Sequence, residues 1–435
     1  MPRPSDPSSS PAGNSAGTTL WDLVLATLLL LRLYLPAESA HQGTTLWIAT
    51  LVFGCWGLRS WWLWRGGESP PPLRFSGAQV GVALLVGGHL LSGLSVLLLG
   101  GERRAALNLS WEWLSVGALW ILLSERQHSA AFRQLLGTTL GTSVLVLAGL
   151  GCWQYCVEFP HTGTTIERLI ELDIASRAGQ QLGMQELEEL QNLRQQYPEV
   201  AGQDATSQQL LLGRVRHVQP LGRFALANTL AGLLLLGGLI GWSGWLNQWQ
   251  TPPGPRLPGL LTGLGFMLIL VTLWWTDSRT AQLAGLLGGV TIAGGELLLL
   301  WNWARGHRRQ IGWGPLGLAL LSTAALIGIC VLAPQLLQAP LLSLKYRLEY
   351  WQATAQLLLD HPGFGSGLGN FRQVYLGYKL PGSSEEILDP HNLVLDVWAN
   401  GGLLALIGLV AIWGVMLCQL CRPASPEDPS GSSAS

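Results

Sequence analysis

The chain has 435 residues, of which 49% are hydrophobic and only 12% charged, and its mean hydropathy is +0.33. This composition is too apolar and too poor in charge for an ordinary soluble enzyme, so we expect the bilayer to be its solvent. The net charge of −1 provides no broad basic field, which sets nucleic acid aside as a partner.

Ten apolar runs have the length that a membrane-spanning helix needs, about 20 residues for a hydrocarbon core about 30 Å thick. They are continuous and Leu-rich, without the alternation of a membrane β-barrel. The runs lie at about 18–36, 45–63, 79–99, 109–124, 135–157, 224–247, 258–276, 279–302, 313–335 and 392–418. The expected fold class is all-α, a polytopic membrane protein with about ten transmembrane helices.

Arginine in short loops predicts the orientation, because cytoplasmic loops are enriched in Lys and Arg. The loops 59–78, 125–133 and 303–312 carry arginine and alternate correctly along the chain. This pattern predicts that both termini are cytoplasmic. The segments predicted outside are 37–44, 100–108, 158–222, 277–278 and 336–391, and the sequence Glu102-Arg103-Arg104 in the second of them violates the rule.

The predicted organisation follows from this topology. A disordered cytoplasmic tail (1–17) precedes N-terminal transmembrane helices (18–157), an extracytoplasmic insertion (158–222), transmembrane helices (223–335), a large extracytoplasmic loop (336–391), the last transmembrane helix (392–418) and a disordered cytoplasmic tail (419–435). In the insertion, Thr164 and Glu167 have capping-box spacing, and a second helical stretch ends before Pro198. In the large loop, residues 342–360 predict an amphipathic helix with Arg347 and Trp351 on one face.

Four separated polar residues fall at the outer membrane surface in this topology. Arg223 precedes the sixth run, Arg279 opens the eighth, Arg347 lies in the large loop and His391 opens the tenth. A guanidinium offers a planar fork of donors that matches phosphate oxygens, so the three arginines suggest a clamp for a diphosphate or an anionic headgroup. The alternative is that each arginine snorkels or binds any anionic lipid.

His391 is a candidate general base, since imidazole accepts a proton near neutral pH. Nearby arginines would favour its neutral form, whereas Asp389 would favour its charged form. The alternative is an interfacial or capping histidine, with Asn392 and Asp389 as helix caps.

The glycine run at Gly363, Gly365, Gly367 and Gly369 does not fit a nucleotide loop, because Leu368 stands at the third glycine position and no strand precedes it. We interpret it as a flexible turn that lets backbone N–H groups approach a ligand.

Four stretches together resemble the bacterial O-antigen ligase and O-antigen polymerase superfamily of polytopic glycosyltransferases. They are "GRFALANTLAG", "DSRTA", "YRLEYWQATAQLLLDHPGFGSGLGNF" and "PHNLVLDVWANGGLLALIG", within about 220–415. The resemblance implies a GT-C-like, metal-independent, inverting transferase without a cofactor. Such an enzyme moves a glycan from a polyprenyl (undecaprenyl) diphosphate carrier to a hydroxyl of a glycolipid, glycan or protein. It works on the outer face of the bacterial inner membrane, in lipopolysaccharide or other cell-surface polysaccharide biosynthesis.

The resemblance also implies residue roles. The arginines that match Arg223 and Arg279 are linked to the diphosphate, the histidine that matches His391 is linked to acceptor activation, and Arg347 is similar to the loop arginine of the same pattern. Candidate supporting residues are Asn228, Trp351, Asp389 and Asn392. Many relatives carry an acid where this chain has Ala399 and Asn400, and Asp396 is the candidate to replace it.

Alternative functions remain open from the sequence. The superfamily motifs do not separate a ligase from a polymerase that joins lipid-linked repeats. A transporter is an alternative from another class, with His89 and Glu296 as its candidate ionisable residues, although no repeated half is evident. A membrane protein without chemistry would leave the outer arginines and His391 unexplained.

Overall fold

The computed structural model describes residues 13–35, 37–66, 76–201, 207–208, 219–224, 226–250, 256–304, 338–383 and 386–420, and all structural statements below refer to these. Their regular secondary structure is helical, without a strand, which confirms the all-α class. The predicted run at 313–335, most of the N-terminal tail and residues 421–435 lie outside the described residues.

Every other predicted apolar run lies on a helix. The α-helices are α1 (Gly13–Tyr34), α2 (Leu46–Arg65), α3 (Gly77–Leu99), α4 (Arg103–Arg126), α5 (Ala130–Trp153), α6 (Phe159–Arg177), α7 (Met184–Gln196), α8 (Pro198–Ala201), α9 (Ala227–Gln250), α10 (Arg256–Trp275), α11 (Arg279–Ala304), α12 (Gln338–Asp360), α13 (Phe371–Tyr378) and α14 (Leu393–Leu420). A 3-10 helix (Ala37–Gln42) follows α1, and a π-helical turn (Gln154–Glu158) joins α5 to α6.

By length and apolar composition, four described helical segments can cross a membrane. They are Gly77–Leu99, Arg103–Arg126, Ala130–Arg177 and Leu393–Gln419. Two shorter apolar helices are Ala227–Trp242 and Leu261–Trp275. The chain is therefore a polytopic all-α membrane protein, and the count of about ten spans stays a prediction.

The chain forms two compact units. The first unit combines Met1–Leu136 with Leu297–Ser435, and the second unit is Gly137–Glu296. The boundaries between the units fall inside α5 and α11.

In the first unit, α3 and α14 pack antiparallel through small residues. Gly81 lies against Ile412, and Gly88 lies against Ala405, so the two chains run in opposite directions. At Gly408 the backbone of α14 comes so close to Leu85 that a Cβ would overlap it. Small residues allow such approach, which is how helices gain packing energy in a bilayer, where hydrophobic burial between helices contributes little.

Two ion pairs join α1 to α4 in the first unit. Glu112, which is 5% exposed, pairs with Arg32 and accepts a hydrogen bond from Thr45 Oγ1 at 2.6 Å. Nearer the other end of the same helices, Arg126 donates to both oxygens of Asp22, at 2.7 and 3.0 Å. Charges within membrane segments persist where they are paired, so these contacts fix α1 antiparallel to α4.

One end of the first unit collects several predicted outer segments. Asn108 Nδ2 donates to the His41 carbonyl at 3.0 Å, which joins the 37–42 helix to the start of α4. The Glu102 N–H donates to Asn370 Oδ1 at 2.7 Å, which joins the α3–α4 connection to the segment after α12. The connection that violates the arginine rule therefore lies at the same end as the large loop.

The transporter alternative has two candidate ionisable residues, His89 and Glu296, and the structure describes the side chain of His89. His89 is 2% exposed, stacks on Trp113 with ring centroids 3.7 Å apart, and donates from Nδ1 to the Leu85 carbonyl at 2.8 Å. These contacts favour a packing role for His89. The Glu296 side chain lies outside the described atoms.

The insertion begins as a continuation of α5. The π-helical turn runs directly into α6, so the capping-box prediction at Thr164 and Glu167 is wrong: Thr164 lies inside the helix and its hydroxyl donates to the His161 carbonyl at 2.9 Å. The second predicted helix is confirmed as α7, which ends at Gln196, before Pro198.

Apolar packing and one buried carboxylate hold α6 to α7. A core forms from Ile166, Leu169, Ile170, Leu172, Leu190 and Val200. Beside it, Asp173 is fully buried and pairs with Arg194 and Arg177, while Gln208 Nε2 donates to its Oδ2 at 2.9 Å. Removal of both arginines would leave the buried carboxylate without a compensating charge, which would be costly.

The contact between α3 and α14 predicts opposite effects for two adjacent glycines. Gly88→Ala places a methyl group into the Ala405 backbone and should destabilise the protein by about 1–3 kcal/mol. Gly87→Ala meets no atom within 4 Å and should be neutral or slightly stabilising, because Ala favours the helix. The measurement is the apparent Tm in detergent for both variants, and equal Tm values would contradict the packing.

Candidate active site

His391 lies between α13 and α14, in a backbone conformation that few non-glycine residues adopt. Its φ is 48°, in the left-handed region. Asp389 Oδ1 accepts two hydrogen bonds from this residue, one from the backbone N–H at 2.9 Å and one from ring Nδ1 at 2.8 Å. One carboxylate oxygen therefore fixes both the turn and the imidazole.

This contact determines what the ring can do. When Nδ1 donates to Asp389, Nε2 of the neutral imidazole carries the lone pair that accepts a proton. The His391 side chain is 38% exposed, so a substrate hydroxyl can approach it. The hydrogen bond from His391 lowers the pKa of Asp389, outweighing the effect of burial, and the carboxylate stays ionised near neutral pH.

Two aromatic residues of α12 hold the His391 turn. Trp351 Nε1 donates to the Pro390 carbonyl at 2.9 Å, and the Tyr350 ring meets the His391 ring edge-on with centroids 5.9 Å apart. Tyr350 is 3% exposed and belongs to a core that includes Phe371, Tyr375, Ile387 and Ala399. The turn that carries His391 is thus supported by a packed core.

Arg347 lies one helical turn before Tyr350 and Trp351. Residues three and four positions apart share a helix face, so Arg347 lies on the face that carries both aromatic contacts to the His391 turn. Its side chain is partly exposed and has no carboxylate partner within the part of the chain that the structure describes. The predicted helix is confirmed, since α12 runs from Gln338 to Asp360.

Asn392 and Asp389 have different roles. Asn392 Oδ1 accepts from the N–H of Val394 at 3.0 Å and of Leu395 at 3.4 Å, which is the geometry of a helix N-cap. The capping alternative is therefore confirmed for Asn392. Asp389 instead bonds to His391, so its carboxylate belongs to the candidate base.

The glycine loop, which we define as residues 361–370, wraps the start of α14. Gly365, Gly367 and Gly369 have φ values of 66°, 86° and 74°, which only glycine adopts without strain. Ser366 donates from its N–H and its hydroxyl to the Ala399 carbonyl, both at 2.8 Å. The predicted turn therefore seats on the last helix.

The glycine loop accepts the hydrogen bond of a backbone N–H group that is freed where α14 is interrupted. At Gly402 the backbone leaves the helix with φ 69° and ψ −175°. The freed N–H of Leu403 donates to the carbonyls of Pro362 at 3.2 Å and Gly363 at 3.3 Å, and Trp398 Nε1 donates to Pro362 at 3.0 Å. A Cβ at Gly402 would overlap the Gly363 carbonyl, so glycine is required there.

Asn400 bridges the glycine loop and Asp396. Its Oδ1 accepts from the Gly369 N–H at 3.1 Å, and its Nδ2 donates to Asp396 Oδ1 at 2.8 Å. A carboxylate at position 400 would accept the first hydrogen bond but has no donor for the second. Asn400, which stands where the family pattern has an acid, is thus hydrogen-bonded to an acid one helical turn earlier, Asp396.

In the second unit, Arg223 lies in a tight turn before α9. The Phe224 N–H donates to the Leu221 carbonyl at 3.1 Å, and Gly222 has φ 62°. Arg223 and Asn228 are both exposed, the latter in the first turn of α9. Arg223 has no ion-pair partner among the residues that the structure describes.

Arg279 is the first residue of α11, as predicted. It follows a turn in which Asp277 has φ 49° and the Thr276 hydroxyl donates to the Leu273 carbonyl at 2.6 Å. Thr276 and Ser278 are buried, whereas Arg279 is exposed. The turn thus buries its short polar residues and leaves the guanidinium accessible.

The structure brings the predicted residues together in two groups. His391, Asp389, Asn392, Trp351 and Arg347 share the first unit, and Arg223, Arg279 and Asn228 share the second unit. Sequence reasoning missed Tyr350, which has the spacing of the Arg347–Trp351 face but gives no chemical signal of its own.

Residues 264–410 match the model of the O-antigen ligase family. The predicted resemblance is confirmed. The matched segment contains Arg279, Arg347 and His391, whereas Arg223 and Asn228 precede it. The match supports a membrane enzyme of the ligase or polymerase kind with glycan or lipid-linked substrates, and it does not separate the two activities. No curated protein and no solved structure matches the chain.

The seating of the glycine loop predicts a difference between two of its glycines. Gly365→Ala requires a residue at φ 66° and pushes its methyl group into the Ala399 carbonyl, so it should unseat the loop. Gly363→Ala meets no atom within 4 Å and is the matched control. Hydrogen exchange of residues 361–370 should increase in the first variant only; unchanged exchange in Gly365→Ala would contradict the packing.

Proposed function

We propose that this protein transfers a glycan from a polyprenyl diphosphate carrier to an acceptor hydroxyl, as an O-antigen ligase-like glycosyltransferase. The observation that carries the proposal is the Asp389–His391 hydrogen bond at the start of α14, inside the segment that matches the O-antigen ligase family. An oriented imidazole beside an ionised carboxylate can act as a general base.

The reaction follows from this base. The acceptor hydroxyl approaches His391 Nε2 and gives it the proton as the hydroxyl oxygen attacks the anomeric carbon. The bond from that carbon to the diphosphate oxygen breaks, and its electron pair leaves with the diphosphate. Attack opposite the leaving group inverts the anomeric configuration. Asp389 keeps the imidazole oriented and stabilises the imidazolium that forms.

The arginines are proposed to neutralise the leaving diphosphate. Arg223, Arg279 and Arg347 are accessible guanidinium groups that can bind phosphate oxygens in a forked geometry. We propose that each of these arginines binds the carrier diphosphate. Positive charge placed where negative charge develops lowers the barrier, and the donor diphosphate supplies the driving force without a metal or ATP.

We place the reaction on the extracytoplasmic face of the bacterial inner membrane, with both termini in the cytoplasm. The arginine pattern of the loops supports this side. The grouping of the 37–42 helix, the α3–α4 connection and the glycine loop at one end of the first unit agrees with it. The acceptor is a glycolipid, glycan or protein hydroxyl.

A polymerase is the second candidate within the family. The same base and the same leaving group would serve if the acceptor hydroxyl belonged to another lipid-linked glycan. Which acceptor reacts therefore distinguishes the two activities, and the chemistry at His391 does not.

The first test is transfer of an undecaprenyl-diphosphate-linked glycan in liposomes, in EDTA and without ATP. We expect His391→Ala to lower the rate roughly 10²–10⁴-fold, because it removes the base. Arg279→Ala should lower it by roughly 10²–10³-fold, as for loss of one transition-state donor.

His128→Ala and Arg133→Ala are matched controls for this assay. Both residues are exposed and lie in or beside the α4–α5 connection, on the predicted cytoplasmic side. Full activity of His391→Ala and Arg279→Ala would contradict the proposed mechanism. Absence of transfer by the wild type with every donor would move the weight to a transporter, and uptake would then be measured.

Asp389→Asn tests the orientation of the base. An amide preserves the shape but lets the imidazole adopt the wrong tautomer, so kcat should fall below the wild type while the donor KM stays unchanged. The control is Glu386→Gln, the same change at an exposed carboxylate that pairs with Arg372 at 3.2 Å. Equal kcat values for both variants would show that Asp389 does not act through His391.

A further inference from the structure

The π-helical turn between α5 and α6 contacts the backbone directly before Arg223 and the Trp275 side chain, four residues before Arg279. It spans Gln154–Glu158 and interrupts an otherwise continuous helical segment, Ala130–Arg177. Such turns re-aim side chains and are frequent at functional sites. Neither the resemblance nor the family match assigns this segment, which precedes residue 264.

Gln154 holds the turn that carries Arg223. Its Oε1 accepts from the N–H groups of Leu221 at 3.1 Å and Gly222 at 2.7 Å, and its Nε2 donates to the Gly222 carbonyl at 3.1 Å. The positive φ of Gly222 accompanies this arrangement, in which its N–H and C=O both meet the same amide. Three hydrogen bonds therefore fix the peptide groups directly before Arg223.

The neighbouring residue, Tyr155, contacts the end of α10, which precedes Arg279. Tyr155 stacks on Trp275 with centroids 4.5 Å apart and an interplanar angle of 11°. Trp275 ends α10, and the turn from Thr276 to Ser278 leads to Arg279. Three residues before Trp275 in α10, Thr272 Oγ1 donates to the Ala148 carbonyl at 3.0 Å. Adjacent residues of one helical turn thus contact the backbone before Arg223 and the end of α10, which precedes the turn that leads to Arg279.

We infer that Gln154 is a positioning residue that sets Arg223 for the carrier diphosphate. The inference rests on the proposed function. The amide is suited to this role because it provides an acceptor for two N–H groups and a donor for one carbonyl, which neither a carboxylate nor an apolar side chain offers. The competing account is that Gln154 only satisfies backbone groups for folding, without an effect on diphosphate binding.

A double-mutant cycle distinguishes these accounts. The probe is undecaprenyl diphosphate, and its Kd is measured with full-length wild type, Arg223→Ala, Gln154→Ala and the double variant in detergent. We expect Arg223→Ala to weaken binding by roughly tenfold, as for loss of a charged hydrogen bond. Gln154→Ala should weaken it by a similar or smaller factor, and the double variant should bind no worse than Arg223→Ala, because Gln154 acts through Arg223.

Two further variants separate positioning from folding. Gln154→Glu keeps the acceptor for Leu221 and Gly222 but loses the donor, so its Kd should lie between wild type and Gln154→Ala, and it replaces Gln154→Ala in the cycle if that variant does not fold. Gln208→Ala removes another buried amide of the second unit, which donates to Asp173 and to the Val200 carbonyl at 3.2 Å. It should lower Tm without changing Kd.

The outcomes separate the two proposals. A wild-type Kd for Gln154→Ala, or additive losses in the double variant, overturns the role of Gln154 and leaves the proposed function in place. Weakened binding in Gln154→Ala together with wild-type binding in Arg223→Ala also overturns it, since Gln154 would not act through Arg223. No binding by the wild type overturns the proposed function, and the inference with it.

Discussion

A polypeptide in hydrocarbon must satisfy its backbone polar groups within the protein, and the break in α14 shows how this chain meets that constraint. At Gly402 the helical hydrogen-bond ladder is interrupted, and the Leu403 N–H turns to the carbonyls of Pro362 and Gly363. The break and the glycine loop therefore require each other. A change in either would leave unpaired backbone groups in a helix apolar enough to cross a membrane.

The same dependence explains why His391 is held so firmly. The glycine loop is continuous with α12, and α12 provides Tyr350 and Trp351 to the turn that carries His391. A left-handed histidine stores backbone strain, which persists only where surrounding contacts determine the conformation. Here those contacts come from Asp389, from Trp351 through Pro390 and from the core around Tyr350.

Hydrophobic run length was enough to predict every helix that the structure describes within the apolar runs, because a bilayer imposes that length on any sequence. Local motifs were less reliable. Asn392 caps α14, as one of the two interpretations of this residue predicted. The residues of the predicted capping box, Thr164 and Glu167, instead lie inside a continuous helix. The spacing of a capping box does not show whether the residues before it are already helical, and here the helix continues from α5 into α6.

The roles of Gln154 and Asn400 could not be predicted from the sequence, for a different reason. Arg279, Arg347 and His391 carry a chemical signal in their side chains, so they were identified. Gln154 and Asn400 act by hydrogen bonds to backbone groups distant in the chain, at Gly222 and Gly369. The sequence does not indicate which distant backbone group an amide side chain will contact, and only the folded structure shows that contact.

Asn400 also limits how this site can change during evolution. Its amide donates to Asp396 while accepting from the glycine loop. If an acid replaced Asn400, two carboxylates would face each other one helical turn apart, in a helix apolar enough to cross a membrane, where like charges are costly. The identities at 396 and 400 are therefore coupled, and a lineage that exchanges one is expected to exchange the other.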